Sequence, residues 1–194
     1  EGMSLNPPEK KMGWCGSDTR SVFFKDMHIP KSAVLGNPSK GFKQFLKTLT
    51  GGRITIGALG IGTAQGAFAR ALAYSQEREA FGKPIHKFQG VSFKLSDMAT
   101  QIEAARHLVY YAAWKKDRGL PVIKEAAMAK LFSSETAMMV TTEAIQVLGG
   151  YGYIKEYDVE RFFRDAKILE IGEGTSEIQR MIIARELINS VQPV

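Results

Sequence analysis

Apolar residues along this chain keep two different rhythms. From Ser21 to Ile29 the order SVFFKDMHI is dense in apolar and β-favouring side chains and is closed by Pro30, which predicts one strand. Pro7-Pro8, Gly13 and Gly16 punctuate the polar stretch before it, and Gly36-Asn37-Pro38-Ser39 reads as a turn. One or two strands cannot make a stable sheet. Residues 1–39 are therefore expected to be the end of a β-domain whose earlier strands are missing or belong to another chain.

From Gly41 the period becomes helical, and helices are expected at about 41–76, 86–117, 121–148, 157–168 and 174–190. FGKP (81–84), RGLP (118–121) and GGYGY (149–153) supply the stops and loops between them. Long helices joined by short loops make an up-down four-helix bundle. The expected fold is mainly α: residues 40–194 form the bundle domain and 1–39 a short β segment. The first helix carries Gly51, Gly52, Gly57, Gly60, Gly62 and Gly66. Each costs up to ~1 kcal/mol against Ala in a helix interior, so close packing or ligand approach explains them better than propensity.

Composition narrows the function classes. A chain of 194 residues that is 44% hydrophobic is ample for one buried domain. No run of 18 apolar residues suggests a membrane span, and residues 1–12 lack the apolar core of a signal peptide. Cys15 is the single cysteine, which excludes an intrachain disulfide and fits a reducing compartment. The net charge of +6 comes from scattered residues with no basic block. Either the surface is simply solvated with a mild surplus, or the ligand is anionic, such as a coenzyme phosphate. No recognised nucleic-acid module is present.

Three segments carry candidate chemistry. In IGEGTSEIQ (171–179) a lone acid, Glu173, stands between two glycines. It serves either as a favourable charge before helix 174–190 or as a general base beside free backbone N–H groups. Arg78-Glu79-Ala80-Phe81-Gly82-Lys83-Pro84 reads as a helix end. It equally offers an Arg fork for phosphate and an aromatic for a flat ring. Gln146-Val147-Leu148-Gly149-Gly150 is a helix stop, or a backbone bare enough to lie against a nucleotide. His28, His86 and His107 have no metal spacing, Glu103 and His107 form only one acid-His pair, and no Walker or Rossmann glycine fingerprint is present.

The order and spacing of Gly52-Arg53, Arg78-x-x-Phe81-Gly82, Gln146-x-x-Gly149-Gly150-Tyr151-Gly152 and Glu173-Gly174-Thr175-Ser176-Glu177-Ile178-Gln179 resemble the acyl-CoA dehydrogenase family over essentially the whole chain. The resemblance implies the last part of a middle β-domain plus the C-terminal bundle, with roughly the N-terminal half absent and the chain inactive alone. It implies Glu173 as the base that removes the α-proton of an acyl-CoA while a hydride leaves for N5 of FAD. The Glu173 N–H and the bare Gly174 would receive the thioester carbonyl, and Arg53 would help place the CoA portion. Arg78, Phe81 and Gln89 would reach the FAD, partly across a dimer interface; Gln146, Gly149, Gly150, Thr175 and Glu177 would lie along it. Some members carry the base just before the Arg matching Arg53, where this chain has Gly52. Gly172 stands where a Tyr often precedes the base, and Thr50 where an acid is frequent.

The expected activity is oxidation of a saturated acyl-CoA to trans-2-enoyl-CoA, with electrons passed to an electron-transfer flavoprotein by a homodimer or homotetramer. The compartment would be the cytoplasm in a bacterium and the mitochondrial matrix in a eukaryote. Two alternatives stand beside this: an acyl-CoA oxidase using dioxygen, and a non-catalytic bundle subunit acting in oligomerisation.

Overall fold

The structure, a computed structural model, describes residues 1–190. It is mainly α-helical, with short strands ahead of a helical bundle. The elements are β1 (Met3–Leu5), β2 (Val22–Phe24), α1 (Gly41–Glu77), β3 (Glu79–Ala80), β4 (Lys83–Pro84), α2 (Gln89–Asp117), α3 (Ile123–Leu148), α4 (Val159–Ala166) and α5 (Ser176–Ser190).

Only the first part of the expected 21–29 strand is paired. β2 lies antiparallel to β1, with Met3 opposite Phe24 and Leu5 opposite Val22. β1 was not expected, because three residues followed by Pro7-Pro8 give almost no period to read. The ribbon is tied to the bundle further along. The Trp14 N–H donates to Asp165 at 2.6 Å, and Arg164 donates to the Met12 carbonyl at 2.9 Å. A Cβ on Gly13 would lie 2.6 Å from the Arg164 carbonyl, so the chain passes α4 nearly backbone to backbone.

α3 is the central helix and packs against α1, α2, α4 and α5. Its inward face is made of small residues: Ala126, Ala129, Ser133, Ala137, Val140, Thr141 and Ala144 are all fully or almost fully buried. Opposite them α1 presents Ile54, Ile61, Ala64, Ala67 and Ala71. The Ser133 and Thr141 hydroxyls donate back to the carbonyls of Ala129 and Ala137, so polarity inside this face is locally satisfied. Gly60 explains part of the glycine pattern of α1: a Cβ there would lie 2.9 Å from the Ser133 carbonyl oxygen.

Helix ends differ from the expected bounds by a few residues, each for a local reason. α2 begins at Gln89 because Pro84 leads into a separate turn over Ile85–Lys87. α3 begins at Ile123, past the restrictive Pro121. The 157–168 segment is a two-turn α4 followed by a tighter turn over Lys167–Glu170. α5 begins at Ser176, after two residues in the left-handed region. The FGKP stop is itself a tiny hairpin, β3 against β4, with Phe81 and Gly82 both at positive φ.

Candidate active site

The turn between α4 and α5 is built to carry one acid. Glu173 has φ +56° and Gly174 has φ +94°. For a non-glycine residue the left-handed region costs roughly 1–2 kcal/mol, so other contacts must hold this backbone. They come from buried polar side chains. The Gln179 amide donates to the carbonyls of Glu173 (3.2 Å) and Gly174 (2.8 Å), and the Lys130 ammonium donates to Gly174 at 2.8 Å. Thr175 opens α5: its carbonyl accepts the Gln179 N–H at 3.0 Å, and its hydroxyl accepts a long 3.4 Å bond from the Ile178 N–H. Among the described residues the Glu173 and Gly174 N–H groups find no acceptor.

The carboxylate of Glu173 is partly enclosed, and its Oε2 is buried without a hydrogen-bond partner among the described residues. It sits over Gly52, where a Cβ would lie 2.5 Å from Oε2. Residues 52 and 173, far apart in sequence, therefore share one small volume, and only one can carry a side chain there. Arg53 is buried on the neighbouring face of α1, and its Nε is likewise unpartnered. Burial pulls the Arg53 guanidinium below the usual arginine range. The nearby Glu173 charge opposes this, and Arg185 adds to it. Buried polar atoms without partners are rare in folded chains. Two of them side by side mark a place where something else completes the bonding.

Beside Arg53 opens a cleft of about 490 Å³, lined by Lys43, Lys47, Lys116 and Arg185 with Leu46, Ile123 and Ile182 among the apolar contributors. Among the described residues no carboxylate lines it. Thr50, Gly51 and Arg53 form its wall on α1, and Glu173 lies just outside it. This concentrates part of the chain's positive surplus beside the acid. Such a wall suits an anionic group with an apolar stem.

Arg78, Gly149 and Gly150 gather elsewhere. Together with Tyr74, Ile85, Tyr151 and Ile154 they line a second cleft of about 530 Å³. Arg78 lies over the Tyr151 ring at 5.9 Å. A side chain on Gly149 or Gly150 would meet nothing within 4 Å, so this backbone is open to a ligand; φ at Gly149 is +60°. Phe81 projects from the β3–β4 hairpin with φ +52° and 96% of its surface exposed. Its ring meets Phe88 edge-on at 6.1 Å. Gln89 is the first residue of α2 and Gln146 lies in the last turn of α3, both exposed.

The expected site residues thus form two groups. Arg53, Glu173, Gly174, Thr175 and Glu177 lie around the turn before α5. Arg78, Phe81, Gln89, Gln146, Gly149 and Gly150 lie around the ends of α1 and α3. Arg53 and Arg78 bound a 25-residue stretch that is α1 up to its last residue. At 1.5 Å rise per residue that is a separation of about 37 Å.

Sequence reasoning named neither Lys130 nor Gln179 as part of the site, nor Lys43, Lys47, Lys116 and Arg185 as cleft residues. A signal for Lys130 was present: AAMAKLFSS places it at helical spacing among Ala126, Ala127, Ser133 and Ser134, where a charged residue is anomalous. Lys43 and Lys47 share one face of α1, but Lys116 and Arg185 come from α2 and α5, and no single stretch reveals all four.

Comparison with known proteins agrees with this geometry. A sequence profile described as acyl-CoA dehydrogenase, C-terminal domain, matches residues 39–188. The chain is 55% identical over 187 residues to "Probable acyl-CoA dehydrogenase YngJ" of Bacillus subtilis, covering 96% of this chain and 49% of that protein. It is 50% identical over 189 residues to the mitochondrial short-chain specific acyl-CoA dehydrogenase of Homo sapiens, covering 97% and 46%. Superposed on butyryl-CoA dehydrogenase from Megasphaera elsdenii it gives a TM-score of 0.95 at 50% identity, covering 96% of this chain and 49% of that one. The chain therefore spans about half the length of the curated relatives it matches. Its motifs, its bundle and these likenesses agree: the chain belongs to the acyl-CoA dehydrogenase family.

Proposed function

We propose that the full-length protein carrying this chain is an FAD-dependent acyl-CoA dehydrogenase in which Glu173 is the base. The observation that carries the reading is the Glu173 carboxylate itself: partly enclosed, unpartnered at Oε2, and held on a strained turn beside unpaired N–H groups. In this reading Glu173 accepts the α-proton of a saturated acyl-CoA. The free N–H groups of the turn receive the thioester oxygen as enolate-like charge grows on it, where fixed donors are most effective. FAD, when bound, supplies the acceptor for the β-hydride, and the product is the trans-2-enoyl-CoA. Electrons would then pass to an electron-transfer flavoprotein. Lys43, Lys47, Lys116 and Arg185 suit the phosphates of CoA, with Arg53 between them and the base.

The residues at the far end of the bundle fit a flat, phosphate-bearing group. They provide an Arg fork, an open glycine backbone and an exposed aromatic held at positive φ. Arg78 stands about 37 Å along α1 from Arg53, the neighbour of Glu173, and in this reading that is beyond the reach of a flavin dinucleotide bound at the same chain's Glu173. Arg78, Phe81 and Gln89 would therefore serve the active site of a neighbouring subunit, which makes a dimer the smallest competent assembly. We also take residues 1–39 as the end of a middle β-domain and 40–194 as the bundle domain, a division supported by a profile match that begins at residue 39.

Butyryl-CoA, the substrate named for the Megasphaera relative, is the first compound to test. Glu173→Gln in the full-length protein is expected to lower kcat by ~10²–10⁴-fold while leaving butyryl-CoA binding largely intact. Undiminished turnover would remove Glu173 from the role.

A further inference from the structure

We propose that Lys130 is a positioning residue for the Glu173 turn, its buried ammonium holding the Gly174 carbonyl so that the base and its neighbouring N–H groups keep their orientation. The inference rests on the reading of Glu173 as the base, and deepens it.

Lys130 lies on the inner face of α3 and has no solvent exposure. Fully buried lysines normally have a carboxylate partner. Among the described residues Lys130 makes no ion pair, and its one hydrogen-bond acceptor is the Gly174 carbonyl at 2.8 Å. Burial draws its pKa below the usual lysine range. The charge of Glu170 opposes this, Arg53 adds to it, and Glu135 and Glu177 oppose it more weakly. No contact here makes the lysine a net contributor to stability, since an apolar residue of similar length would fill the same space without the desolvation cost. Its position accounts for it better: it joins the rigid central helix to the one turn that carries the acid.

The geometry gives that link a purpose. Glu173 and Gly174 are consecutive residues at positive φ, a conformation that persists only when surroundings over-determine it. Their two carbonyls are the ones engaged by Gln179 and Lys130. A trans peptide is planar. Drawing the Glu173 carbonyl toward Gln179 and the Gly174 carbonyl toward Lys130 therefore turns the Gly174 N–H away from Gln179 and the Thr175 N–H away from Lys130. Gln179 is also fully buried, and among the described residues its Oε1 has no donor. It holds the turn from α5, while Lys130 alone holds it from α3.

The test is Lys130→Met in the full-length protein, which keeps the stem and removes the donor, with Lys130→Gln as a shorter donor. Three readouts are needed: steady-state oxidation of butyryl-CoA, thermal unfolding, and amide hydrogen exchange resolved by peptide. Lys130→Met is expected to lower kcat roughly 10–100-fold with KM within about threefold, the scale of a base misplaced by about an ångström. Exchange should rise in residues 171–176 and stay unchanged in α1 and α2, with Tm unchanged or higher. Lys130→Gln should recover part of the protection and part of kcat. An unchanged kcat with an unchanged turn would overturn the proposal. So would a fall in Tm with exchange raised throughout the bundle, which describes a merely structural lysine. Should Lys130→Met not fold, Lys130→Gln read by exchange in the turn against that in α1 carries the same decision. If Glu173→Gln retains turnover, the base assignment fails, yet exchange in the Lys130→Met turn still decides the anchor separately.

Discussion

At Gly52 the site depends on a methyl group that is not there. A Cβ would stand 2.5 Å from the Glu173 carboxylate and would have to displace it, because the residue is fixed inside α1. Gly52→Ala should raise local helix propensity by up to ~1 kcal/mol and so leave folding intact or improved. Turnover, however, should fall roughly 10–100-fold, since a shift of about an ångström in a reacting group is worth that much. Butyryl-CoA oxidation measured beside a thermal melt separates the two effects; equal activity in the variant would mean the carboxylate works from another position. The glycine and the acid were each legible in the sequence as parts of motifs. Their contact was not, because 120 positions lie between them and no local pattern reports on it.

Among the elements, α1 and α3 meet through small side chains, and here steric magnitudes decide the sign of a mutation. A Cβ on Gly60 would meet the Ser133 carbonyl at 2.9 Å, and backbone on a buried helix face cannot yield cheaply. Overpacking typically costs about 1–3 kcal/mol, against a propensity gain of at most ~1 kcal/mol. Gly60→Ala should therefore destabilise by about 1–2 kcal/mol. Gly62→Ala, two positions on and facing open space, should be neutral or stabilising by up to ~1 kcal/mol. Urea unfolding of both variants checks this; the same sign for both would remove close helix approach as the reason for Gly60. The helices were legible because a helical period runs long through residues rich in helix formers and is closed by Gly and Pro stops. Their ends shifted where Pro84, Pro121 and the left-handed Glu173-Gly174 pair overrode that period.

Over the whole molecule, the proposed division of the two groups of site residues between neighbouring subunits rests on the span of about 37 Å from Arg53 to Arg78 along α1. A subunit-mixing experiment tests this directly. Full-length Glu173→Gln and full-length Arg78→Ala are each expected to be nearly inactive alone. Refolded together, half of the randomly paired dimers would hold one site with both an intact base and an intact partner Arg78. Activity should return to roughly a quarter of wild type. No recovery would place both residues in the same site, or show that subunits do not share them.

The amino-acid sequence by itself determined the helical period, the punctuation between helices and the order of the motifs, hence the family and the acid proposed as the base. These are readable because they depend on neighbours within one turn or one loop. Which residues surround that acid was decided only by the tertiary structure. Gly52 beneath the carboxylate, Lys130 and Gln179 on the turn's carbonyls, and the cations of the cleft come from α1, α2, α3 and α5. Contacts between helices are set by how whole faces pack against one another, and apart from the Gln179 bonds, which close within the Glu173–Gln179 motif, no stretch of sequence contains both sides of such a contact.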